Sequence, residues 1–129
     1  MTNTIRITSK EQFKTEVAQG MSVIDFYADR CGPCKMLAPI MEELQADNAS
    51  KGVKILKVNV DENPDLAAEF GVSSIPTVFF SKNGKIVEGM VGANPKSVYQ
   101  EKIDSYLAEG VGAAPENADQ EHMDSHLAA

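Results

Sequence analysis

Ser22-Val23-Ile24-Asp25-Phe26-Tyr27-Ala28-Asp29-Arg30-Cys31-Gly32-Pro33-Cys34 is the stretch that decides the fold. Its first seven residues are mostly apolar on both faces, as in a central strand covered by helices on two sides. Its last four hold both cysteines of the 129-residue chain, two residues apart. On the opening turn of a helix, positions i and i+3 share a face, so the two sulfurs lie close enough to bridge. Gly32 is expected to supply the backbone freedom to close so small a ring. Pro33 suits the first helical turn, where its missing N–H is not needed. The helix N-terminus offers unpaired N–H groups and the positive end of a dipole, which favour a thiolate on Cys31. A strand feeding such a helix delivers the motif to the carboxyl edge of a sheet, where open α/β folds place their sites. The pattern reads as a reversible dithiol–disulfide centre.

Two other readings of the cysteines stay open. Cys-x2-Cys also forms half of many zinc sites, but tetrahedral zinc needs two more ligands. The candidates with sensible spacing are His122 and His126, far along the chain in a polar tail. An inert buried pair is the other alternative, and the Gly-Pro insert at a helix start argues against it.

The length suits one domain with a real core, and an apolar fraction of 43% is ordinary for a soluble protein. No window approaches a membrane span, and no apolar run follows Met1-Thr2-Asn3-Thr4-Ile5-Arg6 to make a signal peptide. A reducing cytoplasm is therefore the expected location, and there a lone cysteine pair is more often catalytic than structural. The net charge of −7 is uneven. Residues 1–108 carry twelve basic and fourteen acidic side chains, whereas the last 21 residues carry five acids and no base. No basic stripe is present to bind nucleic acid.

Outward from the central stretch, the spacing predicts β-α-β-α-β-α-β-β-α. Thr8-Ser9-Lys10-Glu11 has capping-box spacing and opens a helix to about Ala18, with Phe13 and Val17 inward and Gly20 beyond its end. After the cysteines, Met36, Leu37, Ile40, Met41 and Leu44 repeat at helical spacing, predicting a helix to about Ala49 with a kink at Pro39. This Met-rich stripe reads as core filler. Val53–Val60 is a β-branched strand, Asn63-Pro64-Asp65 starts a short helix that Gly71 ends, and Thr77-Val78-Phe79-Phe80 is a third strand. Asn83-Gly84 marks a hairpin into Ile86–Val91. Pro95–Leu107 reads as a last helix, with Val98, Tyr99, Ile103 and Leu107 on one side. The expected class is α/β, a central mixed sheet with helices on both faces, formed by residues 1–108. Residues 109–129 turn to Ala, Gly, Pro and acid and read as a solvated tail without fixed structure. No internal repeat is apparent.

With these segments in order, the chain resembles the thioredoxin family from about Ile5 to Leu107. The resemblance rests on Val23-Ile24-Asp25-Phe26-Tyr27-Ala28, Cys31-Gly32-Pro33-Cys34-Lys35-Met36, Val58-Asn59-Val60-Asp61, Ile75-Pro76-Thr77, Lys82-Asn83-Gly84 and Val91-Gly92-Ala93. It implies the thioredoxin fold, and Gly32-Pro33 between the cysteines resembles the reducing members of the family. It implies further that Cys31 is the exposed nucleophile and Cys34 the resolving thiol. The implied activity is reduction of protein disulfides. Oxidised protein would be recycled by a thioredoxin reductase drawing on NADPH, so this chain, expected to be a monomer, would bind no nicotinamide, flavin or metal itself.

Asp25 stands out independently, because a carboxylate among Val23, Ile24, Phe26 and Tyr27 is costly to bury charged and its pKa should rise. The resemblance places it beneath Cys34, where it could take that thiol's proton, with Lys57 as its partner from the neighbouring strand. A purely structural pair with Lys57 is the alternative. The resemblance also implies a cis Ile75-Pro76 bond beside the cysteines, with Ile75 presenting its backbone to an extended substrate. Gly92 would keep that groove flat or mark a bulge.

One position departs from the family: Arg30 stands where Trp is usual, and the chain has no Trp. A guanidinium there should favour the Cys31 thiolate and attract substrates with acidic residues near their disulfide. Two further functions remain: a specialised thiol oxidoreductase serving one partner, hinted at by Arg30 and the tail, and a binding module in which the dithiol is incidental.

Overall fold

Five strands form one sheet in the order β1-β3-β2-β4-β5 in the computed structural model, which describes residues 3–109. Along the chain these are β1 (Ile5–Arg6), α1 (Lys10–Val17), β2 (Met21–Tyr27), α2 (Gly32–Asn48), a 3₁₀ turn (Ala49–Lys51), β3 (Lys54–Asn59), α3 (Pro64–Glu69), β4 (Thr77–Lys82), β5 (Lys85–Val91) and α4 (Lys96–Glu109). The pairs β1/β3 and β3/β2 are parallel, and β2/β4 and β4/β5 are antiparallel, so the sheet is mixed. β2 is central, and its first six residues are buried, which accounts for its near-continuous apolar run.

Alternation along β2 divides the core. Met21 and Val23 meet Leu37, Met41 and Leu44 of α2 and Tyr99, Ile103 and Tyr106 of α4. Ile24 and Phe26 meet Phe13 and Val17 of α1 and Leu66 of α3. Helices therefore cover both faces. The second face carries linked rings, with Phe26 5.3 Å from Phe70 and 5.7 Å from Phe79, centroid to centroid. Such pairs contribute about 1 kcal/mol each beyond area burial.

Local chemistry sets the element ends. Ser9 caps α1 by accepting from Gln12 N–H at 3.0 Å, while Gln12 Oε1 accepts from Thr8 N–H at 2.7 Å. The capping pair is thus Ser9 with Gln12, one residue later than the expected Thr8 with Glu11. The β4–β5 turn holds Asn83 at φ 49° and Gly84 at φ 86°, the left-handed pair that a two-residue hairpin requires. α2 runs unbroken through Pro39, whose ring deprives the Lys35 carbonyl of its usual donor.

Two readings of the apolar pattern need correction. Met36 is 75% exposed and is not core filler. The buried seam of α2 is Cys34, Leu37, Met41 and Leu44, and Met36 falls off it. On α4 the buried residues are Tyr99, Ile103 and Tyr106, with Val98 and Leu107 only flanking them. α4 reaches Glu109, one residue beyond the expected domain end; residues 110–129, with His122 and His126, lie outside the described residues.

Candidate active site

The strand-to-helix junction after β2 carries the site. The chain turns at Ala28, whose carbonyl accepts from Cys31 N–H at 3.2 Å, and Cys31 then becomes the N-cap of α2. Pro33 occupies the first turn, where no N–H is missed. Cys31 and Cys34 are joined in a disulfide with their Cα atoms 5.2 Å apart. Cys34 N–H donates to Cys31 Sγ at 3.1 Å, so the helix terminus already aims a donor at that sulfur.

The two cysteines differ in exposure less than expected. Cys31 is 8% exposed and Cys34 3%, so in the disulfide form neither residue is open to solvent, and Cys31 is only the less covered of the two. Its sequence neighbours Arg30, Gly32 and Pro33 are all exposed. Gly32 is not required for backbone reasons, because its φ is not in the left-handed region. A Cβ there would meet nothing within 4 Å, so close packing does not require glycine either.

Beneath the junction, Ala28, Cys31 and Cys34 form a small cluster against Tyr27, Val60 and Ile75. The Ile75–Pro76 bond is cis and Pro76 is buried. Thr77 Oγ1 donates to Ser74 O at 2.5 Å and Gly92 N–H donates to Pro76 O at 2.8 Å, pinning the loop from both sides. Among the described residues, the Ile75 backbone N–H and C=O have no partner. Gly92 follows β5 at φ 91°, a conformation that L side chains rarely adopt, although a Cβ would find open space there. It is not a bulge, since the register shift lies between Phe80 and Ser81. A shallow pocket of about 210 Å³, lined by Val72, Ser74, Thr77, Phe79, Gly89 and Val91 among others, adjoins this loop in sequence.

Asp25 is fully buried on the sheet face that α2 covers. Its cross-strand partner in β3 is Lys57, whose Nζ lies 3.0 Å from Oδ2. Neither carboxylate oxygen accepts a well-directed hydrogen bond among the described residues, so the contact with Lys57 is an ion pair. Desolvation pushes the Asp25 carboxyl above its ordinary range, and the Lys57 ammonium opposes this only in part. That ammonium also sits 4.4 Å from the centroid of the Tyr27 ring.

Arg30 does not reach over the disulfide unencumbered. Its guanidinium pairs with Asp61 Oδ1 at 3.3 Å across the junction, with side chains 68% and 56% exposed. So open a pair adds little to stability. Tyr27, Val60 and Asp61 are the neighbours that the sequence reading did not assign to the site. Asp61 and Val60 follow β3, whose parallel pairing with β2 was the available signal.

A family model described as thioredoxin matches residues 4–105. A thioredoxin from Staphylococcus aureus is 45% identical over 103 residues, covering 80% of this chain and 97% of the relative. One from Bacillus subtilis is 44% identical over 97 residues, covering 75% and 92%. Among solved structures, mitochondrial thioredoxin 3 from Saccharomyces cerevisiae in its oxidized form superposes with a TM-score of 0.70 at 35% identity, covering 78% of this chain and 94% of that one. With a disulfide at the head of α2, a mixed five-stranded sheet and matches across nearly the whole described region, the chain belongs to the thioredoxin family.

Proposed function

We propose that this protein reduces disulfides in other proteins by dithiol–disulfide exchange through Cys31 and Cys34. The observation that carries the reading is the disulfide itself, set at a helix N-terminus; the buried Asp25 carboxyl, made a better proton acceptor by desolvation, supports it. In the reduced protein, the donor from Cys34 N–H and the helix dipole favour charge on Cys31 Sγ. The Cys31 thiolate attacks one sulfur of the substrate disulfide; an S–S bond forms to Cys31 and the other substrate sulfur leaves as a thiolate. Cys34 then gives its proton to Asp25 and attacks Cys31 Sγ. The mixed disulfide breaks, the second substrate thiolate leaves, and Cys31–Cys34 closes as seen here. Two electrons have passed to the substrate.

Ile75 supports binding of an extended substrate segment, since its unpaired backbone groups adjoin the cysteine cluster and can extend a strand-like pairing. Gly92 and Pro76 shape the same loop. Arg30, held by Asp61, modulates which substrates dock, and a dedicated partner with acidic residues is the second reading that this pair favours. Return to the dithiol form takes an outside reductant, for which a thioredoxin reductase drawing on NADPH in a reducing cytoplasm is the expected source.

The test is insulin reduction followed by turbidity, driven once by dithiothreitol and once by NADPH with a thioredoxin reductase. Activity under both supports the general reductase; activity with dithiothreitol alone supports the dedicated-partner reading. Inactivity under both, with the fold intact, overturns the proposal.

A further inference from the structure

Tyr27 takes no part in the exchange steps above, yet it touches both halves of the site. Asp25 and Tyr27 lie two residues apart on β2, and Lys57 faces Asp25 from β3, so alternation puts all three on one side of the sheet. The Lys57 side chain is 14% exposed, its ammonium 3.0 Å from Asp25 Oδ2 and 4.4 Å from the Tyr27 ring centroid. The same ring packs against the cluster of Ala28, Cys31 and Cys34. We propose that Tyr27 is a positioning residue for proton transfer at Asp25, its ring face holding the Lys57 ammonium beside the carboxyl in both of the carboxyl's protonation states.

Proton uptake by Asp25 changes what holds Lys57 in place. Charge attraction holds Lys57 only while the carboxyl is ionised. Afterwards the long, strongly hydrated lysine gains by swinging into solvent. The quadrupole of an aromatic face does not depend on Asp25, so its pull on the ammonium persists. Lys57 then stays in place and favours loss of the proton again, readying Asp25 for the next cycle. The other groups around the pair do not supply this hold. β4 pairs Val78 with Asp25, α2 carries the disulfide-bonded cysteines at its head, and Arg6, Asp29 and Glu62 act on the Tyr27 hydroxyl. Arg6 is itself paired with Glu62.

This inference rests on the reading of Asp25 as the proton acceptor. It is tested on the full chain by the pH profile of mixed-disulfide resolution and by ¹³C NMR titration of the Asp25 carboxyl in the oxidised protein. Tyr27→Leu is expected to move the acid limb and the carboxyl titration upward by about half a pH unit, a roughly threefold slower resolution on the limb. Tyr27→Phe, which keeps the ring face, restores both. In a Lys57→Met background Tyr27→Leu adds nothing, because its effect passes through Lys57. An unmoved titration, an equal shift in Tyr27→Phe, or the same shift without Lys57 overturns the proposal. Should Tyr27→Leu not fold, Tyr27→Phe carrying a fluorinated ring keeps the shape while removing the quadrupole, and must reproduce the shift. Wild-type resolution by Asp25→Asn would instead defeat the proton-acceptor reading, while the NMR titration still decides the role of Tyr27.

Discussion

Gln45 and Asp25 are both polar, both buried, and both on the α2 side of the sheet, yet their surroundings differ in kind. Gln45 Nε2 donates to Val53 O at 2.9 Å and its Oε1 accepts from Ile55 N–H at 2.8 Å, so both ends of the amide close onto β3. Among the described residues Asp25 has no well-directed donor on either oxygen, only an ammonium at its flank. A satisfied amide fixes how α2 sits on the sheet and has nothing left to offer a reaction. An undersolvated carboxylate destabilises the fold when charged, and so takes up a proton more readily than a solvated one. The first arrangement sits on α2 about three turns past the cysteines, and the second on β2, the strand that leads into them. Ser22 and Ser81, paired across β2 and β4 on the other face, also lack partners among the described residues, but neutral hydroxyls cost far less than a carboxylate.

That contrast can be broken first at Asp25. Asp25→Asn should slow resolution of the mixed disulfide about a hundredfold, the usual worth of a positioned base. Single-turnover kinetics measure it, and a normal rate would leave Asp25 with Lys57 as a structural pair. The same variant tests the energetics. The folded carboxyl binds its proton above the ordinary value of 3.8, so its stabilising contribution is full below about pH 4 and is lost as pH rises through the folded pKa. Asp25→Asn removes that loss, so denaturant melts should show its advantage over the parent growing from about pH 4 upward.

Gln45→Leu should do the reverse. Val53 C=O and Ile55 N–H would be left unpaired in the core, costing about 2–4 kcal/mol. Urea melts should show that loss, while resolution kinetics stay near normal. If kinetics fall with stability, the two regions are not separable as argued.

Smaller effects are expected at the rim. Arg30→Trp breaks an exposed ion pair, so stability should change by less than about 1 kcal/mol. Rates on disulfide peptides should change within a few-fold, with generic substrates gaining and any salt-sensitive preference for acidic ones falling. Matched acidic and neutral peptides at low and high salt check this. Deleting residues 111–129 removes none of the contacts described here and lies beyond the family match, so melts and insulin reduction should be unchanged. Loss of activity, or of stoichiometric zinc bound by the full chain, would show that the tail has a function.

The order of elements was legible because each rests on a local signal: the double-sided apolar run of β2, the Asn83-Gly84 turn, and Pro64 at the head of α3. Burial on helix flanks was not. Met36 and Leu37 are both apolar and adjacent, and only the seam continued by Met41 and Leu44 decides which one enters the core. Tyr106 completes the spacing of Tyr99 and Ile103, but its polar tip, which donates to Glu88 at 2.5 Å, hid it beside Leu107. At the site, Cys31, Cys34 and the burial of Asp25 could be read from one contiguous stretch. The Arg30–Asp61 pair and the Lys57 ammonium over Tyr27 could not, because each joins β2 or its junction to β3, more than 25 residues away, through side-chain geometry that periodicity does not encode.

The most direct test of the exchange reading is covalent trapping, with an oxidised substrate added to Cys34→Ser and to Cys31→Ser and the products weighed by mass spectrometry. Cys34→Ser should accumulate a stable mixed disulfide through Cys31, and Cys31→Ser should accumulate none. Equal trapping by both variants, or trapping by Cys31→Ser alone, would contradict the assignment of attack to Cys31 and resolution to Cys34.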